Sequence, residues 1–148
     1  MFSPKTILVP TDFSEYSDKA LQHATDIARQ NNARIYLLHV IGVTQQCIVD
    51  YCIDKQMVDQ LEQQSIDSAK EMIRKQLDKL KEAESVEIVP DIRKGTPYEE
   101  ILKEQEDKKM DLIVIASHGK TGLLSHLIGS VAEKVSRAAK CPVLLLRS

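Results

Sequence analysis

Five short apolar runs, each separated from the next by a segment of helical periodicity, order this chain as βαβαβαβαβ from end to end. Thr6-Ile7-Leu8-Val9 is the first run, rich in β-formers and stopped by Pro10. Ser14 reads as the N-cap of a helix whose apolar stripe is Ala20, Ala24, Ile27 and Ala28, ending at Asn31-Asn32. Ala33 to Ile41 is a second buried strand. From about Ile48 to Leu80 runs the longest helical pattern, with Met57, Leu61, Ala69, Ile73, Leu77 and Leu80 on its stripe. Charges crowd its later half, as a solvated outer face requires. Val86 to Ile92 gives a third strand, with Val86, Ile88, Pro90 and Ile92 at alternate positions. Gly95 marks a turn, and Thr96 with Pro97 fits an N-cap followed by proline at the first helical position of a short helix carrying Ile101 and Leu102. Leu112 to Ala116 is a continuous apolar run, the pattern of a strand buried on both faces. A loop from Ser117 to about Ser125, a helix from about Gly129 to Ala139, and a fifth strand, Pro142 to Leu146, complete the order.

Strands that alternate with helices pair in parallel through right-handed crossovers. The expected fold is therefore α/β: a doubly wound, five-stranded parallel sheet with helices on both faces, Rossmann-like. The 148 residues contain no low-complexity linker, so 1–148 reads as one domain. Sheets of this kind bind ligands at the carboxyl ends of their strands, near the point where strand order reverses. That rule selects Pro10 to Ser14, Val40 to Gly42, and the stretch from Ser117 onward.

Composition narrows the partners. The formal net charge is -2, with 20 basic and 22 acidic residues, so there is no global basic footprint for nucleic acid and no signature for an anionic membrane. No apolar run approaches a membrane span. The N-terminal stretch lacks the charged and long apolar regions of a signal peptide. Three cysteines, Cys47, Cys52 and Cys141, form no disulfide framework and no zinc spacing. The expected location is the cytoplasm, with free thiols.

The stretch richest in chemistry runs from Ala116 to Ser130. It leaves a buried strand, passes Gly119 and Gly122, and enters a helix at Gly129-Ser130. Glycine lets backbone N–H groups approach phosphate oxygens, and the helix N-terminus adds unpaired donors and a positive dipole end. Ser130 adds a hydroxyl and Lys120 a cation. Gly119-Lys120-Thr121 imitates the end of a Walker A loop, but the glycine that pattern needs is Val114. No G-x-G-x-x-G follows the first strand, so a dinucleotide fingerprint is absent. From these residues alone, a phosphate loop and a structural turn stand side by side.

Ile7-Leu8-Val9-Pro10-Thr11-Asp12-Phe13-Ser14 resembles the opening of the universal stress proteins. Leu37-Leu38-His39-Val40 is similar to the end of their second strand, and Val131 to Arg147 fits their tail. The loop resembles that family's ATP motif, G-x2-G-x9-G-[ST], in Gly119 and, nine residues on, Gly129-Ser130. Ala116 stands where the motif has its first glycine. The resemblance covers nearly the whole chain. It implies an adenine nucleotide hydrolase-like fold and a regulatory, non-enzymatic module that binds ATP, with Mg2+ carried by the nucleotide and hydrolysis slow at most. It implies that Pro10, Thr11 and Asp12 line the nucleoside side and that Val40 meets adenine through its backbone. Gly119, Gly129, Ser130 and Val131 would hold the phosphates, beside Ala116 and His118. It also implies a homodimer through strand 142–146, whose apolar edge would otherwise invite aggregation.

Plainer readings stand beside these. Asp12 either contacts ligand or caps a turn. His39 reads as a hydrogen-bonded structural residue, His118 as a phosphate contact or a solvent-facing side chain, and His126 as exposed. No histidine has a sequence-evident Ser or Cys partner, so a catalytic triad is not supported. The strand-continuing residues Leu112 to Ile115 predict an extended, negative φ at Ala116, which alanine adopts without strain. Two other functions fit the same fold: a nucleotide-free interaction protein, and an adenine-nucleotide enzyme, which would need a substrate domain and catalytic set not evident here.

Overall fold

The computed structural model describes residues 1–42, 54–80, 85–119 and 127–147. Cys47, Cys52, Lys120, Gly122, His126 and the expected helix start at Ile48 lie outside these residues. Strands β1 (Thr6–Pro10), β2 (Arg34–Ile41), β3 (Ile88–Lys94), β4 (Leu112–Ala116) and β5 (Val143–Leu146) alternate with helices α1 (Glu15–Asn31), α2 (Lys55–Lys79), α3 (Pro97–Asp107) and α4 (Ser130–Ala138).

All neighbouring strands pair in parallel, in the order β3-β2-β1-β4-β5. The chain steps outward from β1 through β2 to β3, then returns to the other side of β1 for β4 and β5. The loops after β1 and β4 thus leave in opposite directions and open a crevice between them. Successive strand residues face opposite sides. Ile7, Val9, Ile35, Leu37, Leu112 and Val114 bury against Ala20, Leu21, Ala24 and Ala28 of α1 and Ile73 of α2. Leu8, Leu38, Ile113 and Ile115 bury against Ile101 of α3 and Ala132 and Val135 of α4. Among the described residues two helices cover each face, as the double winding predicts.

Local signals place the helix starts. Ser14 Oγ accepts the Ser17 N–H, and Pro97 opens α3 behind Thr96, whose hydroxyl makes no cap bond. At Gly95 the backbone takes φ +145°, which glycine adopts freely, and a Cβ there would lie 2.8 Å from Glu100 Oε1.

Two expectations are corrected. The third strand runs Ile88–Lys94, two residues later than its alternation suggested, because its register follows β2 from Ile35↔Ile88 to Ile41↔Lys94. Pro90 sits exposed there, on the outer strand of the sheet, where its missing N–H is tolerated. On α2, Ala69 and Ile73 are buried but Met57 and Leu61 are exposed. The 25 residues of α2 span roughly 37 Å, whereas strands of this sheet span about 13–26 Å, so the helix runs past the surface it covers.

Candidate nucleotide-binding crevice

The loop after β1 is held in a strained shape by its own side chains. Phe13 has φ 65°, unusual for a bulky residue and costing about 1 kcal/mol. Thr11 Oγ1 accepts the Phe13 N–H at 3.1 Å, and Asp12 Oδ1 accepts the Ser14 N–H at 3.0 Å. The Phe13 ring lies on His39, with centroids 4.4 Å apart. His39 Nδ1, 2.9 Å from the Thr11 carbonyl, donates to it. His39 is thus the hydrogen-bonded structural residue expected.

Thr11 faces both ways. Its N–H donates to the Leu38 carbonyl at 2.8 Å. Its hydroxyl, in a residue only 6% exposed, donates to Gln76 Oε1 on α2 at 2.9 Å. Gln76 Nε2 continues to Asp18 Oδ1 at 2.8 Å, and Ser17 Oγ donates to the Ser14 carbonyl. The backbone of Thr11 borders the crevice while its side chain anchors the loop to two helices.

On the second strand, Leu38 turns its carbonyl toward β1. The period of two directs the N–H and C=O of Val40 to the same side, beyond the point where β1 ends at Pro10. The opposite alternation is seen at Ile41, whose carbonyl accepts from Gly95.

The fourth strand supplies the facing wall. Ala116 is its last residue and has no positive φ; among the described non-glycine residues only Phe13, Asn32 and Lys109 do. The extended conformation predicted for it is observed. Asp12 crowds Gly119 so closely that a Cβ there would lie 2.5 Å from Oδ2. One carboxylate oxygen caps its own turn, and the other faces Gly119 of the loop after β4. Gly129 N–H donates to the Ser117 carbonyl at 2.7 Å, and a Cβ on Gly129 would be 3.2 Å from that same oxygen. Glycine is needed here for close approach, not for dihedral freedom, since φ is -63°. As the N-cap of α4, Gly129 offers no side-chain acceptor, so the first N–H groups of the helix are left for a ligand or water.

His118 is 6% exposed, which removes the solvent-facing alternative. Its ring meets Tyr16 edge-on at 5.9 Å, and neither ring nitrogen has a hydrogen-bond partner among the described residues. The neighbouring Ser117 hydroxyl is likewise buried without one.

Pro10, Thr11, Asp12, Val40, Ala116, His118, Gly119, Gly129, Ser130 and Val131 all line one cavity of about 390 Å³ at the carboxyl end of the sheet. Leu38, Pro97, Ile101, Ile115 and Ala132 add apolar side chains to its lining. The strand-end rule reaches Leu38 and Ile115. Nothing local in the sequence points to Pro97 and Ile101, which arrive on α3 from a distant part of the chain. No cluster of three or more His, Cys, Asp or Glu able to hold a metal exists among the described residues.

The model of the universal stress protein family matches residues 4–147. The chain belongs to the universal stress protein family. It is 36% identical over 143 residues to universal stress protein MJ0531 of Methanocaldococcus jannaschii, covering 97% of this chain and 82% of the relative. The solved structure of MJ0577, from the same organism, superposes with a TM-score of 0.82 at 32% identity, covering 100% of this chain and 98% of that one. A universal stress protein solved in complex with cAMP shares the fold, with a TM-score of 0.69 at 23% identity, covering 98% of this chain and 98% of that one. Membership agrees with what the crevice displays: a universal stress protein fold whose three strand-end loops meet around one cavity. No helix among the described residues is long and apolar enough to cross a membrane.

Proposed function

We propose that this universal stress protein binds an adenine nucleotide, ATP above all, and that occupancy of the crevice is the signal it passes on in the stress response. The observation that carries the reading is the cavity's polarity. One end is apolar, walled by Leu38, Pro97, Ile101 and Ile115, beside the outward-turned backbone of Val40. The other is built from Gly119, Gly129, Ser130 and the uncapped N-terminus of α4. A base fits the first and phosphates the second. The family's binding of cAMP in one relative supports an adenine ligand.

The residues present suit magnesium carried by the phosphates better than a metal held by protein, since among the described residues only Asp12 brings a carboxylate to the cavity. The role is binding, with hydrolysis slow at most: among the described lining residues the titratable groups are Asp12, His39 and His118, and the first two hold the loop in shape. The edge strand β5, with Leu144 37% exposed, supports a homodimer paired through this strand. The three-cysteine count supports the cytoplasm as its compartment.

Calorimetric titration with ATP and Mg2+, with GTP and AMP as comparisons, tests the reading. Saturable binding with ATP preferred over GTP is expected. Absence of ATP binding at millimolar concentration would overturn it in favour of a nucleotide-free interaction module.

A further inference from the structure

The apolar end of the cavity takes one wall from Val40 on β2 and the other from Pro97 and Ile101 on α3. α3 rests on the sheet through the apolar packing of Ile101 against Leu8, Leu38 and Ile113, and an ion network joins it to β3. Arg93 of β3 is the register partner of Val40. Paired positions of a parallel ladder point to the same face, and Val40 packs on the face that α3 covers, so Arg93 reaches up beneath α3. Its guanidinium engages three carboxylates of that helix: Glu104 at 3.1 Å, Glu100 at 3.5 Å and Asp107 at 2.8 Å. Residues 100, 104 and 107 lie four and seven positions apart, on a single helical stripe. The Glu104 side chain is wholly buried, and Lys108 reaches it at 2.8 Å while also contacting Asp91 of β3. Buried ion networks add little net stability over an apolar substitute, but they specify one geometry, and a planar guanidinium does so in a way an ammonium cannot.

We propose that Arg93, which is not among the cavity-lining residues described, is a positioning residue for base selection. By clamping Glu100, Glu104 and Asp107 it sets the gap between Val40 and the Pro97–Ile101 wall, and that gap decides which base is accepted. The inference rests on the nucleotide reading and assigns its specificity to a residue that touches no ligand.

The test compares wild type, Arg93→Gln and Arg93→Lys in calorimetric titrations with ATP, GTP and inorganic triphosphate. Arg93→Gln is expected to weaken ATP binding by about three- to tenfold. Triphosphate binding should be unchanged and the ATP-over-GTP preference narrowed. Lysine should restore only part of the preference. Without any ligand, the Ile101 methyl resonance should shift in Arg93→Gln. Should Arg93→Gln fail to fold, Asp107→Asn removes one prong at a carboxylate 62% exposed and should narrow the same preference less. Equal losses for ATP and triphosphate, or an unaltered ATP-to-GTP ratio in the folded variants, would overturn the proposal while leaving the nucleotide reading intact. A wild type that binds none of the three ligands overturns that reading and this one with it.

Discussion

At Gly129 a single hydrogen atom in place of a side chain keeps the Ser117 carbonyl close to the start of α4. Valine there would push that carbonyl away and block the helix N-terminus. Gly129→Val is expected to lose about 2 kcal/mol or more of ATP binding, from phosphate hydrogen bonds no longer reached. Titration of the folded variant checks this, and unchanged affinity would remove the phosphate end from this loop. Ala116 makes the complementary case. Its backbone has no positive φ, so its methyl group is unstrained and acts on the ligand by crowding alone. Ala116→Gly should therefore tighten ATP binding by up to about tenfold, roughly 1.4 kcal/mol, and lower stability slightly through a more flexible unfolded chain. Parallel titrations at one magnesium concentration decide it; equal affinities would show the methyl to be irrelevant.

Between elements, polar side chains fix what apolar packing leaves adjustable. Gln76 ties α2 to the loop after β1 through Thr11 and to α1 through Asp18. Gln76→Ala would leave the Thr11 hydroxyl buried with a partner fewer and open a small cavity. A loss of about 2 kcal/mol is expected in denaturant unfolding. Asp111, just before β4, accepts N–H bonds from Lys5 at 2.9 Å and Thr6 at 3.0 Å, joining the starts of β1 and β4. The Lys5 N–H, with help from Thr6, holds its carboxyl below the usual carboxylate range. A depressed folded-state value contributes stability above the unfolded-state value and loses it as pH falls through the folded one. The thermal stability gap between wild type and Asp111→Asn should thus be full at pH 7 and close below the ordinary range of an aspartate. A gap that persists into strong acid would show that the contact acts by shape and not by charge.

For the molecule as a whole, the two outer strands differ in how their edges are protected. β3 carries Pro90, Arg93 and Lys94, residues that discourage pairing with another chain. β5 is four apolar residues, Val-Leu-Leu-Leu, and has no such guard. A dimer through β5 is expected, and light scattering at tens of micromolar checks it, a monomer there arguing against a substantial apolar interface. Leu144→Lys should shift the equilibrium toward monomer without unfolding the chain, because the side chain is more than a third exposed. The element order, the double winding and the three loops that meet at the crevice were legible in the amino-acid order, because strand and helix periods, caps and strand ends are local properties. The individual residues Pro10, Thr11, Asp12, Val40, Gly119, Gly129, Ser130 and Val131, which line the cavity, came from the family resemblance, since the strand-end rule by itself reached only the loops. Tertiary structure alone decided the rest. The register with β2 moved β3 two residues along, the length of α2 beyond the sheet exposed Met57 and Leu61, and the double role of Thr11 depended on Gln76, sixty-five positions away. The same holds for Pro97 and Ile101 in the apolar wall and for the Arg93 clamp behind them. Each is a contact between segments distant in the chain, and no local period encodes the distance at which two such segments come to rest.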